Sequence, residues 1–440
     1  MDKFFKISER KSTVSREIIA GVTVFLSMCY ILFVNPTILS DAGMDKNAVF
    51  VATAIAAAIG TLIMGLYANY PVAQAPGMGM NAFFAYTICL PAAANGLGYS
   101  FSQGLFAVFC SGLIFIIIAA SGLREKIINA IPKSLKYAVS AGIGMFITLV
   151  GLKSAGVIKA DTSTLVTLGN LGDKSVLLAV FGIIVVLILL SRNTKAAIFI
   201  GMIITAIVGV IIGVCPMPTH VFDTPPSLSP VFGKLFDQPL LPLLTDPKFL
   251  MAIFTVLFLD FFDTAGTLVG IATRAGLLTP KGELIDANKA LMSDATATTL
   301  GAIVGTSSVT SYAESTVGVE SGGRTGLVAC TVAILFLLAT FFSPLMSVIT
   351  SSVTTPALVA VGCIMMSSVK HIDFEDIADT AAAFLTMMFM VLSYSIATGI
   401  AVGFLIWVIM KVVKKEREKI NPIMYGLAIC FIIYFISKAL

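Results

Sequence analysis

The sequence predicts an all-α polytopic membrane protein with fourteen transmembrane segments arranged as a 7+7 inverted repeat. Three observations support this prediction. First, 58% of the 440 residues are hydrophobic and only 12% are charged, whereas a typical soluble domain has about 25% charged residues. Second, apolar stretches of about 20 residues, the length that spans a bilayer, recur along the whole chain. Third, two apolar stretches are interrupted by glycine or proline at matching positions of the two halves.

Composition also limits the classes of protein to which the chain can belong. A mean hydropathy of +0.99 is incompatible with a single buried core, so lipid must solvate much of the surface. The net charge is only +4, and the basic residues form short clusters between apolar runs. This pattern indicates membrane topology and argues against a nucleic-acid partner. The seven cysteines show no metal-ligand spacing. The first apolar stretch has no small-residue cleavage site, so we expect a retained membrane helix.

Twelve apolar stretches are uninterrupted and two are broken, and counting both kinds gives fourteen crossings. The broken stretches are 71–92, which contains prolines and glycines, and 307–323, which contains glycines and many hydroxyl residues. A further apolar stretch, 421–438, either crosses a fifteenth time or lies as a hairpin or interfacial helix. The uninterrupted stretches are 16–35, 47–69, 101–121, 133–152, 176–191, 195–214, 247–270, 286–306, 325–346, 355–369, 376–393 and 394–412.

The distribution of basic residues predicts the orientation, because positive charges tend to stay in the cytoplasm. With the N-terminus in the cytoplasm, the long loop 215–246, which has few positive charges, lies outside. We therefore expect a multi-pass protein of the cell membrane whose N-terminus is cytoplasmic. The basic residues that this arrangement places inside are Arg124, Lys126, Arg192, Lys195, Arg274, Lys281, Arg324, Lys370 and those of the run 411–419.

The loop 215–246 divides the chain into two halves of seven crossings each. We predict a first repeat over 1–214, an extracellular loop over 215–246 and a second repeat over 247–412. A basic cytoplasmic segment with the extra apolar stretch follows over 413–440. An odd number of crossings per half gives the halves opposite orientations. The third crossing of each half, segments 3 and 10, is the broken one, which is typical of transporters built from inverted repeats.

Each broken segment predicts a short strand that leads into a half-helix. The stretch YPVAQAPGMGMNAFFAYT has a front rich in proline and glycine, and GTSSVTSYAESTVGVESGGRTG opens with β-branched and hydroxyl residues. Irregular backbone in a bilayer must be satisfied by protein, and the two extended pieces could pair with each other. Each half-helix then directs its N-terminal amides at a common point, with Asn81 and Glu314 nearby. The alternative is two ordinary helices with packing glycines.

Ionisable residues inside spanning segments are rare and are candidate functional groups. Asp260, Asp263 and Thr267 have the spacing i, i+3, i+7, so they share one polar face of the segment 247–270. We expect this face to line a cavity and to contribute Asp263 and Thr267 to ligand binding. Two carboxylates one helical turn apart in a low-dielectric cavity disfavour joint ionisation. One of these two aspartates is therefore a candidate for proton coupling.

The alternative for every one of these acids is a structural carboxylate that hydrogen-bonds the backbone of a broken helix and binds no ligand. We favour a functional role for Glu314, which lies in the segment 307–323. We favour the structural role for Asp294 and for Glu320, the latter because it is close to Arg324 in the sequence.

No motif for catalysis accompanies these acids. The two histidines are His220 in the long loop and His371 in a predicted inner loop, and no GxSxG, Walker A or metal-triad pattern occurs. We therefore expect neither an enzyme nor ATP-driven transport by this chain, and no cofactor. The predicted class is a secondary transporter that uses a proton gradient as its energy source, with the buried acids as protonatable groups.

Six long motifs connect the sequence to a known family. They are FLSMCYILFVNPTIL (25–39), APGMGMNAFFAYT (75–87), FLDFFDTAGTLVG (258–270), GTSSVTSYAESTVGVESGGRTG (305–326), LATFFSPL (338–345) and LSYSIATGIAVGF (392–404). With these motifs the chain resembles, over essentially its whole length, the nucleobase/ascorbate transporter superfamily in its adenine/guanine/hypoxanthine permease branch. Within that branch it is most similar to bacterial hypoxanthine/guanine permeases.

This resemblance implies a division of the fourteen segments into two domains. Segments 1–4 and 8–11 would form a core domain, and segments 5–7 and 12–14 a gate domain. The substrate would sit between them, beside the two half-helices. The family usually works as a homodimer and moves its core domain like an elevator.

The resemblance also implies roles for residues of segments 8 and 10. In related uracil and xanthine carriers, an acid on segment 8 and an acid or amide at the start of the segment 10 half-helix hold the base. By motif position these are Asp263 and Glu314. Because this assigns Asp263 to the base, Asp260 is the candidate for proton coupling. Tyr312 and Ala313, which precede the latter, would offer a ring and backbone groups.

Residues of segment 3 are implicated in the same way. An aromatic residue, Phe83 or Phe84, would stack on the base, and in the purine branch Asn81 and Asp260 also contribute to the site. One departure concerns Glu320. The sequence continues as GVESGGRTG, where the uracil and xanthine carriers have a run ending in Thr-Arg, so no role is carried over for this residue.

The expected function is import of hypoxanthine or guanine, with adenine as a further candidate, by proton symport. A purine is flat, neutral and edged with N–H groups, and a carboxylate accepts two adjacent N–H groups in charge-assisted bonds. The alternative is an anion exchanger or channel-like pathway on the same fold. Such a pore would place Arg or Lys at its constriction, whereas the predicted mid-membrane charges are acids.

Overall fold

A computed structural model describes residues 2–91, 96–121, 131–218, 220–277 and 284–439, and in them the protein is predominantly helical. Arg124, Lys126 and Lys281, which the charge pattern places in inner loops, lie outside the described residues. The strands are β1 Gln74–Pro76, β2 Ile158–Asp161, β3 Leu165–Leu168 and β4 Val309–Ser311. The helices are α1 Asp2–Phe5, α2 Val14–Met28, α3 Ile31–Ser40, α4 Lys46–Ile63, α5 Met78–Phe83, α6 Phe101–Ser121, α7 Lys133–Ser154, α8 Lys174–Ser191, α9 Ala197–Ile211, α10 Leu240–Leu243, α11 Pro247–Ala275, α12 Ala287–Val304, α13 Ser315–Glu320, α14 Gly326–Ala339, α15 Ser351–Met366, α16 Ile377–Leu392, α17 Ile396–Val413 and α18 Pro422–Ala439.

Eight stretches of the described chain are long and apolar enough to cross a membrane. Shorter apolar helices occur in α9, α16 and α18. The chain is therefore a multi-pass membrane protein. Helix α12 has a different character, because it buries Ser293, Asp294, Thr298 and Thr299. The eight stretches are Val14–Ser40, Lys46–Ala68, Phe101–Ser121, Lys133–Ser154, Lys174–Ser191, Gly326–Ser347, Ser351–His371 and Ile396–Val413.

The helices pack into two groups. In the first helix group α12 contacts α4 and α6, α14 contacts α2 and α4, α11 contacts α6, and α3 contacts α4. In the second helix group α15 contacts α7, α8 and α9, while α16 and α17 pack on each other and on α7. The two groups touch where α2 meets α9, α3 meets α15 and α5 meets α7. They also touch where the ring centre of Phe258 on α11 lies 5.2 Å from that of Phe404 on α17.

The strands β1 and β4 lie in the two broken segments and pair with each other antiparallel, with Ala75 opposite Thr310. The pairing continues beyond the strands, because the N–H of Gly77 donates to the carbonyl oxygen of Ser308 at 3.1 Å. Pro76 falls at a position whose N–H would point away from the partner strand, so it removes no bond between the strands. β1 leads into α5 and β4 leads into α13, so both short helices begin beside the strand pair.

A second strand pair, β2 with β3, follows α7 and is not predicted by the sequence analysis. Its side chains are largely exposed. Asp161 closes the turn by accepting the backbone N–H groups of Thr164 at 2.9 Å and Ser163 at 2.8 Å. These bonds hold the pKa of Asp161 below its usual value. The described residues therefore contain four short strands, two more than expected.

The C-terminal apolar stretch forms α18, which packs against α17 and α11. Phe431 of α18 lies with its ring centre 5.4 Å from that of Phe404 on α17 and 5.9 Å from that of Phe254 on α11. Helix α18 is thus part of the packed bundle and touches both helix groups.

Candidate functional site

The centre of the first helix group holds a buried carboxylate, Asp294 on α12, that ties the strand pair to α11. Its Oδ1 accepts from Nε2 of Gln74 at 2.9 Å and from Oγ of Ser311 at 3.0 Å. Its Oδ2 accepts from Oγ1 of Thr264 at 2.6 Å. All four side chains are buried, and such donors offset the cost of removing a carboxylate from water. This arrangement fits the structural role favoured for Asp294.

Asp260 on α11 is also fully buried but has fewer donors. Its Oδ2 lies 2.8 Å from Oγ1 of Thr298, and its Oδ1 has no hydrogen-bond partner in the part of the chain that the structure describes. The Thr298 hydroxyl also lies 2.9 Å from the carbonyl oxygen of Val309 and 3.0 Å from Oγ of Ser308. A hydroxyl has one proton to donate. Thr298 therefore donates to one of Asp260, Val309 and Ser308 at a time, and it cannot donate to Asp260 and Val309 at once.

Asn81 and Phe83 on α5 are buried in this conformation. The Ser307 hydroxyl donates to Oδ1 of Asn81, whereas Nδ2 of Asn81 has no partner among the described residues. Asn81 has no exposed surface, and Phe83 and its neighbour Phe84 are each 1% exposed. These candidates for base contact and stacking therefore line no open surface here.

Asp263 is exposed and lies beside the start of α5. Its Oδ2 is 3.7 Å from the position that a Cβ atom would take at Gly77. The same Cβ would lie 2.5 Å from Cγ2 of Thr310, well inside the contact distance of two carbon atoms. The contact with Thr310 therefore favours glycine at this position, and the Asp263 carboxylate lies near the positive end of α5.

Glu314 immediately precedes α13 and is half-buried. The hydroxyl of Tyr30, in the break between α2 and α3, donates to its Oε1 at 2.5 Å. Tyr30 is 1% exposed, so this charge-assisted bond holds the carboxylate in one orientation. Tyr30 is not predicted from the sequence as a site residue. It lies in the motif 25–39, but no local signal shows that its hydroxyl reaches Glu314.

The connection from β4 to α13 contains Tyr312 and Ala313. The Tyr312 hydroxyl donates to the carbonyl oxygen of Pro76 at 2.6 Å, and the side chain is 6% exposed. Tyr312 thus braces the strand pair, whereas Ala313 is exposed next to Glu314. Helix α11, which contains Asp263, contacts α13, which Glu314 immediately precedes. The structure therefore brings Asp263, Ala313 and Glu314 together on an accessible surface.

One face of α11 connects this surface to the end of the helix. Thr267 is half-exposed, and Gly270 and Arg274 are exposed. With Asp263 they have the spacing i, i+4, i+7, i+11, which is one helix face. On the opposite side of Asp263 along the helix, Phe258 is buried and packs against α17. The accessible path therefore runs from Asp263 toward Arg274.

Basic residues collect where this path ends, and we call this part of the bundle the basic end. Arg274 forms an ion pair with Glu320, and both side chains are exposed. Glu320 therefore pairs with Arg274 instead of the neighbouring Arg324, whose Nη1 donates to the carbonyl oxygens of Val319 at 2.5 Å and Gly323 at 2.7 Å. An exposed pair of this kind contributes little stability. The basic end comprises Arg10, Arg16, Lys195, Arg274 and Arg324.

The accessible site can bind a neutral polar ligand through its acceptors. Within the described ranges, no group of three His, Cys, Asp or Glu side chains has the geometry to hold a metal ion. Asp263 and Glu314 present carboxylate oxygens from α11 and from the start of α13. Carboxylates accept charge-assisted hydrogen bonds from N–H groups and are favourable partners for a ligand with adjacent N–H donors.

Comparison with known proteins adds a family and a fold. Residues 15–402 match the model of a family of permeases. The chain is 49% identical to the guanine/hypoxanthine permease PbuG of Bacillus subtilis, over 99% of each chain. It is 40% identical to the adenine permease AdeQ of Escherichia coli, over 96% of this chain and 93% of that one. The solved transmembrane domain of the bicarbonate transporter BicA from a cyanobacterium has a TM-score of 0.66 at 15% identity, over 88% of this chain and 97% of that one. The likeness to BicA concerns the fold alone.

Proposed function

The chain belongs to the permease family of nucleobase transporters, in its adenine/guanine/hypoxanthine branch, and from this membership we propose that it imports purine nucleobases by proton symport. The proposed substrates are hypoxanthine and guanine, with adenine as a further candidate. The energy comes from the proton gradient, without a cofactor.

The observation that carries this proposal is the accessible pair of carboxylates, Asp263 and Glu314, beside the strand pair. Asp263 is exposed and Glu314 is half-buried, so both can exchange water for a ligand. Guanine has adjacent N–H groups on one edge, and a carboxylate accepts both in charge-assisted bonds. In this proposal Thr267, Tyr312 and Ala313 complete the site on the same side.

Asn81 and Phe83 contribute from α5 in a conformation in which α5 is accessible. Both are buried in the present conformation. The ring of Phe83 stacks on the base, and the amide of Asn81 hydrogen-bonds its edge.

The proposed proton site is Asp260. The Val309 carbonyl points away from the partner strand, and the Thr298 hydroxyl is 2.9 Å from it. If Thr298 donates there, its oxygen can only accept from Asp260, which requires a protonated carboxyl. If Asp260 is ionised, Thr298 turns to donate to it and releases Val309. Loading and release of a proton at Asp260 would thereby change a bond to β4, the strand that leads to Glu314.

The proposed architecture has fourteen segments in a 7+7 inverted repeat, with the N-terminus and the basic end in the cytoplasm of a cell-membrane protein. The first helix group is then the core domain and the second helix group is the gate domain. The packing of the helices within each group, and the few contacts between groups, support a core that moves against the gate as an elevator. We propose a homodimer, in which the gate domains form the fixed part.

The likeness in fold to a bicarbonate transporter raises anion exchange as the second candidate. An anion at this site would meet the carboxylates of Asp263 and Glu314, whose negative charge repels it. We expect guanine and adenine to compete with labelled hypoxanthine uptake and bicarbonate not to compete. Competition by bicarbonate alone would reverse the assignment.

A paired measurement on two variants tests the proposed roles. Asp260→Asn is fixed in a neutral state, so it should still bind purine but should not accumulate it under a proton gradient. Asp263→Asn should no longer bind purine, because an NH₂ donor replaces one of the two acceptor oxygens of the carboxylate. Equilibrium binding and gradient-driven uptake are measured for each variant. Concentrative uptake by Asp260→Asn would show that the proton is carried elsewhere.

A further inference from the structure

An apolar groove runs along α9, at the contact between the two helix groups. A cavity of about 780 Å³ lies between α9 and the first helix group and is lined by hydrocarbon, aromatic and sulfur-containing side chains. A second cavity of about 300 Å³ continues it toward the basic end, and Phe199 and Ile203 line both. The hydroxyl in the second cavity, that of Thr23, donates to the carbonyl oxygen of Ile19 in its own helix.

The length of the groove fits an acyl chain. Helix α9 has 15 residues, which corresponds to about 22 Å, whereas one leaflet of the hydrocarbon core is about 15 Å thick. Ile203, Ile207 and Ile211 on this helix are 42%, 54% and 76% exposed. The groove is therefore open to the surrounding lipid along its length.

Two cations without acidic partners stand at the basic end of this groove. Nζ of Lys195 lies 3.2 Å from Oγ of Ser321. Cδ of Arg16 lies 3.7 Å from the position that a Cβ atom would take at Gly322. Both side chains are exposed, and within the described chain neither forms a salt bridge. They approach adjacent residues of one turn, Arg16 from α2 and Lys195 from the start of α9.

The acids of this region are engaged elsewhere. Glu17 is buried and accepts from the backbone N–H groups of Arg324 at 2.9 Å and Thr325 at 3.0 Å. Glu320 pairs with Arg274. At its basic end, the apolar groove therefore lies next to two available cations. The cations are complementary to an anionic headgroup, and the groove is complementary to an acyl chain.

We propose that the groove binds an anionic phospholipid, with its phosphate-bearing headgroup on Arg16 and Lys195 and an acyl chain along α9 past Ile203. Because α2 and α9 belong to different helix groups, the headgroup bridges the two groups at the basic end. A movement of one group against the other must separate these cations and release the headgroup. The bound lipid thus stabilises the arrangement of helices seen in this structure. The binding itself does not depend on the proposed substrate.

Tryptophan quenching by lipids with brominated acyl chains tests this proposal in the full-length protein. Ile203→Trp places a reporter in the groove. The chain has one tryptophan, Trp407, which is 4% exposed, and its emission is subtracted using the unmodified chain. Phe384→Trp is the matched control, because Phe384 is 55% exposed on α16 and away from the groove. Each variant is reconstituted with brominated phosphatidylglycerol or brominated phosphatidylcholine as a minor component.

We expect brominated phosphatidylglycerol to be preferred over brominated phosphatidylcholine at Ile203→Trp, by about fivefold for each of the two basic side chains near the headgroup. The preference should fall by about fivefold with Lys195→Gln, should disappear when Arg16→Gln is added, and should be absent at Phe384→Trp. Equal quenching by the two lipids at Ile203→Trp, or the same preference at Phe384→Trp, would overturn the proposal.

Native mass spectrometry gives a second readout that needs no tryptophan. The unmodified protein should retain one phosphatidylglycerol more readily than phosphatidylcholine, and Arg16→Gln with Lys195→Gln should remove this difference. Retention that is the same in the double variant would contradict a headgroup site at these two residues.

Discussion

At the scale of single residues, three aspartates of one bundle occupy three different environments. Asp294 accepts hydrogen bonds from three side chains, and Asp263 is exposed. Asp260 is fully buried with one hydroxyl at Oδ2. The environment of Asp294 suits a fixed charge, and that of Asp263 suits a hydrogen-bond acceptor for a ligand. The environment of Asp260 suits a group that takes up a proton, because a buried carboxylate with few donors is costly.

Glu314→Gln tests the role of the second accessible acid. The change replaces an acceptor by a group that is half donor, so base affinity should fall by roughly 1.5–3 kcal/mol, the value of a hydrogen bond to a charged group. Calorimetry on the purified protein measures this. Glu320→Gln is the control, because Glu320 pairs with Arg274 at the exposed basic end and should keep wild-type affinity. An unchanged affinity in Glu314→Gln would remove this residue from the site.

Tyr30→Phe tests whether the orientation of Glu314 matters. The change removes the hydroxyl that donates to Oε1, and water can replace it only in part, so we expect a loss of about 1 kcal/mol in base affinity. In the Glu314→Gln background the same change should cost less, because the two residues act as a unit.

Tyr86→Phe is the matched control for this experiment. Its hydroxyl donates to Asp41 at 2.7 Å, so the change removes a similar bond that does not involve Glu314. A loss in Tyr86→Phe equal to that in Tyr30→Phe would mean that Tyr30 acts on the fold in general and not on the site.

The two residues show which parts of a site the sequence can reveal. Glu314 could be singled out because an acid inside an apolar segment is visible locally. Tyr30 could not, because its role depends on a partner 284 residues away in the chain. The same holds for Asp294, whose donors come from α11, β1 and β4.

At the scale of elements, breaks in a helix are easier to predict than short surface strands. Pro76 and Gly77 interrupt an apolar run, and the extended backbone of β1 lies at that position. The β2–β3 hairpin was missed, because its turn depends on the bonds of Asp161 to the following backbone and its strands have four residues each. The length and composition of the helices identify eight stretches of the described chain that could span a membrane. Helix α12 is not among them, because it buries polar side chains.

Ion pairs connect the start of α16 to the end of α17. Asp376 caps the N-terminus of α16 and forms ion pairs with Lys411 in α17 and with Lys414, which follows α17. Hydrogen bonds from Lys411 and then Lys414 hold the pKa of Asp376 well below its usual value. Asp376→Asn keeps a capping side chain but loses both ion pairs. We expect a loss of about 1.5–3 kcal/mol in stability, measured by thermal unfolding.

The pH dependence of this effect has a defined sign. A carboxyl whose pKa is lowered by folding stabilises the protein above its unfolded pKa of about 3.9 and loses that contribution as the pH falls below it. The difference between wild type and Asp376→Asn should therefore be constant from pH 8 to pH 5 and shrink below about pH 4. Asp173→Asn is the control, because Asp173 caps α8 through Ser175 without an ion pair. Equal destabilisation by both changes would mean that the lysines contribute nothing.

At the scale of the whole molecule, the packing of the helices is shared more widely than the chemistry of the site. The bicarbonate transporter BicA has a similar fold at 15% identity, whereas relatives at 49% and 40% identity are named as purine and adenine permeases. Fold similarity does not imply shared function. The proposed substrate therefore rests on Asp263 and Glu314. The proposed movement rests on the two helix groups, which meet along α2 and α9.

Proton flux during hypoxanthine uptake tests the central claim most directly. The purified protein is reconstituted in vesicles that enclose a pH-sensitive dye, and hypoxanthine is added without an imposed gradient. Proton symport predicts that the vesicle interior becomes more acidic as hypoxanthine enters, and that an imposed gradient, acidic outside, drives its accumulation. Asp260→Asn should show neither response while still binding hypoxanthine. Uptake without proton entry, and accumulation that is indifferent to the gradient, would contradict the account.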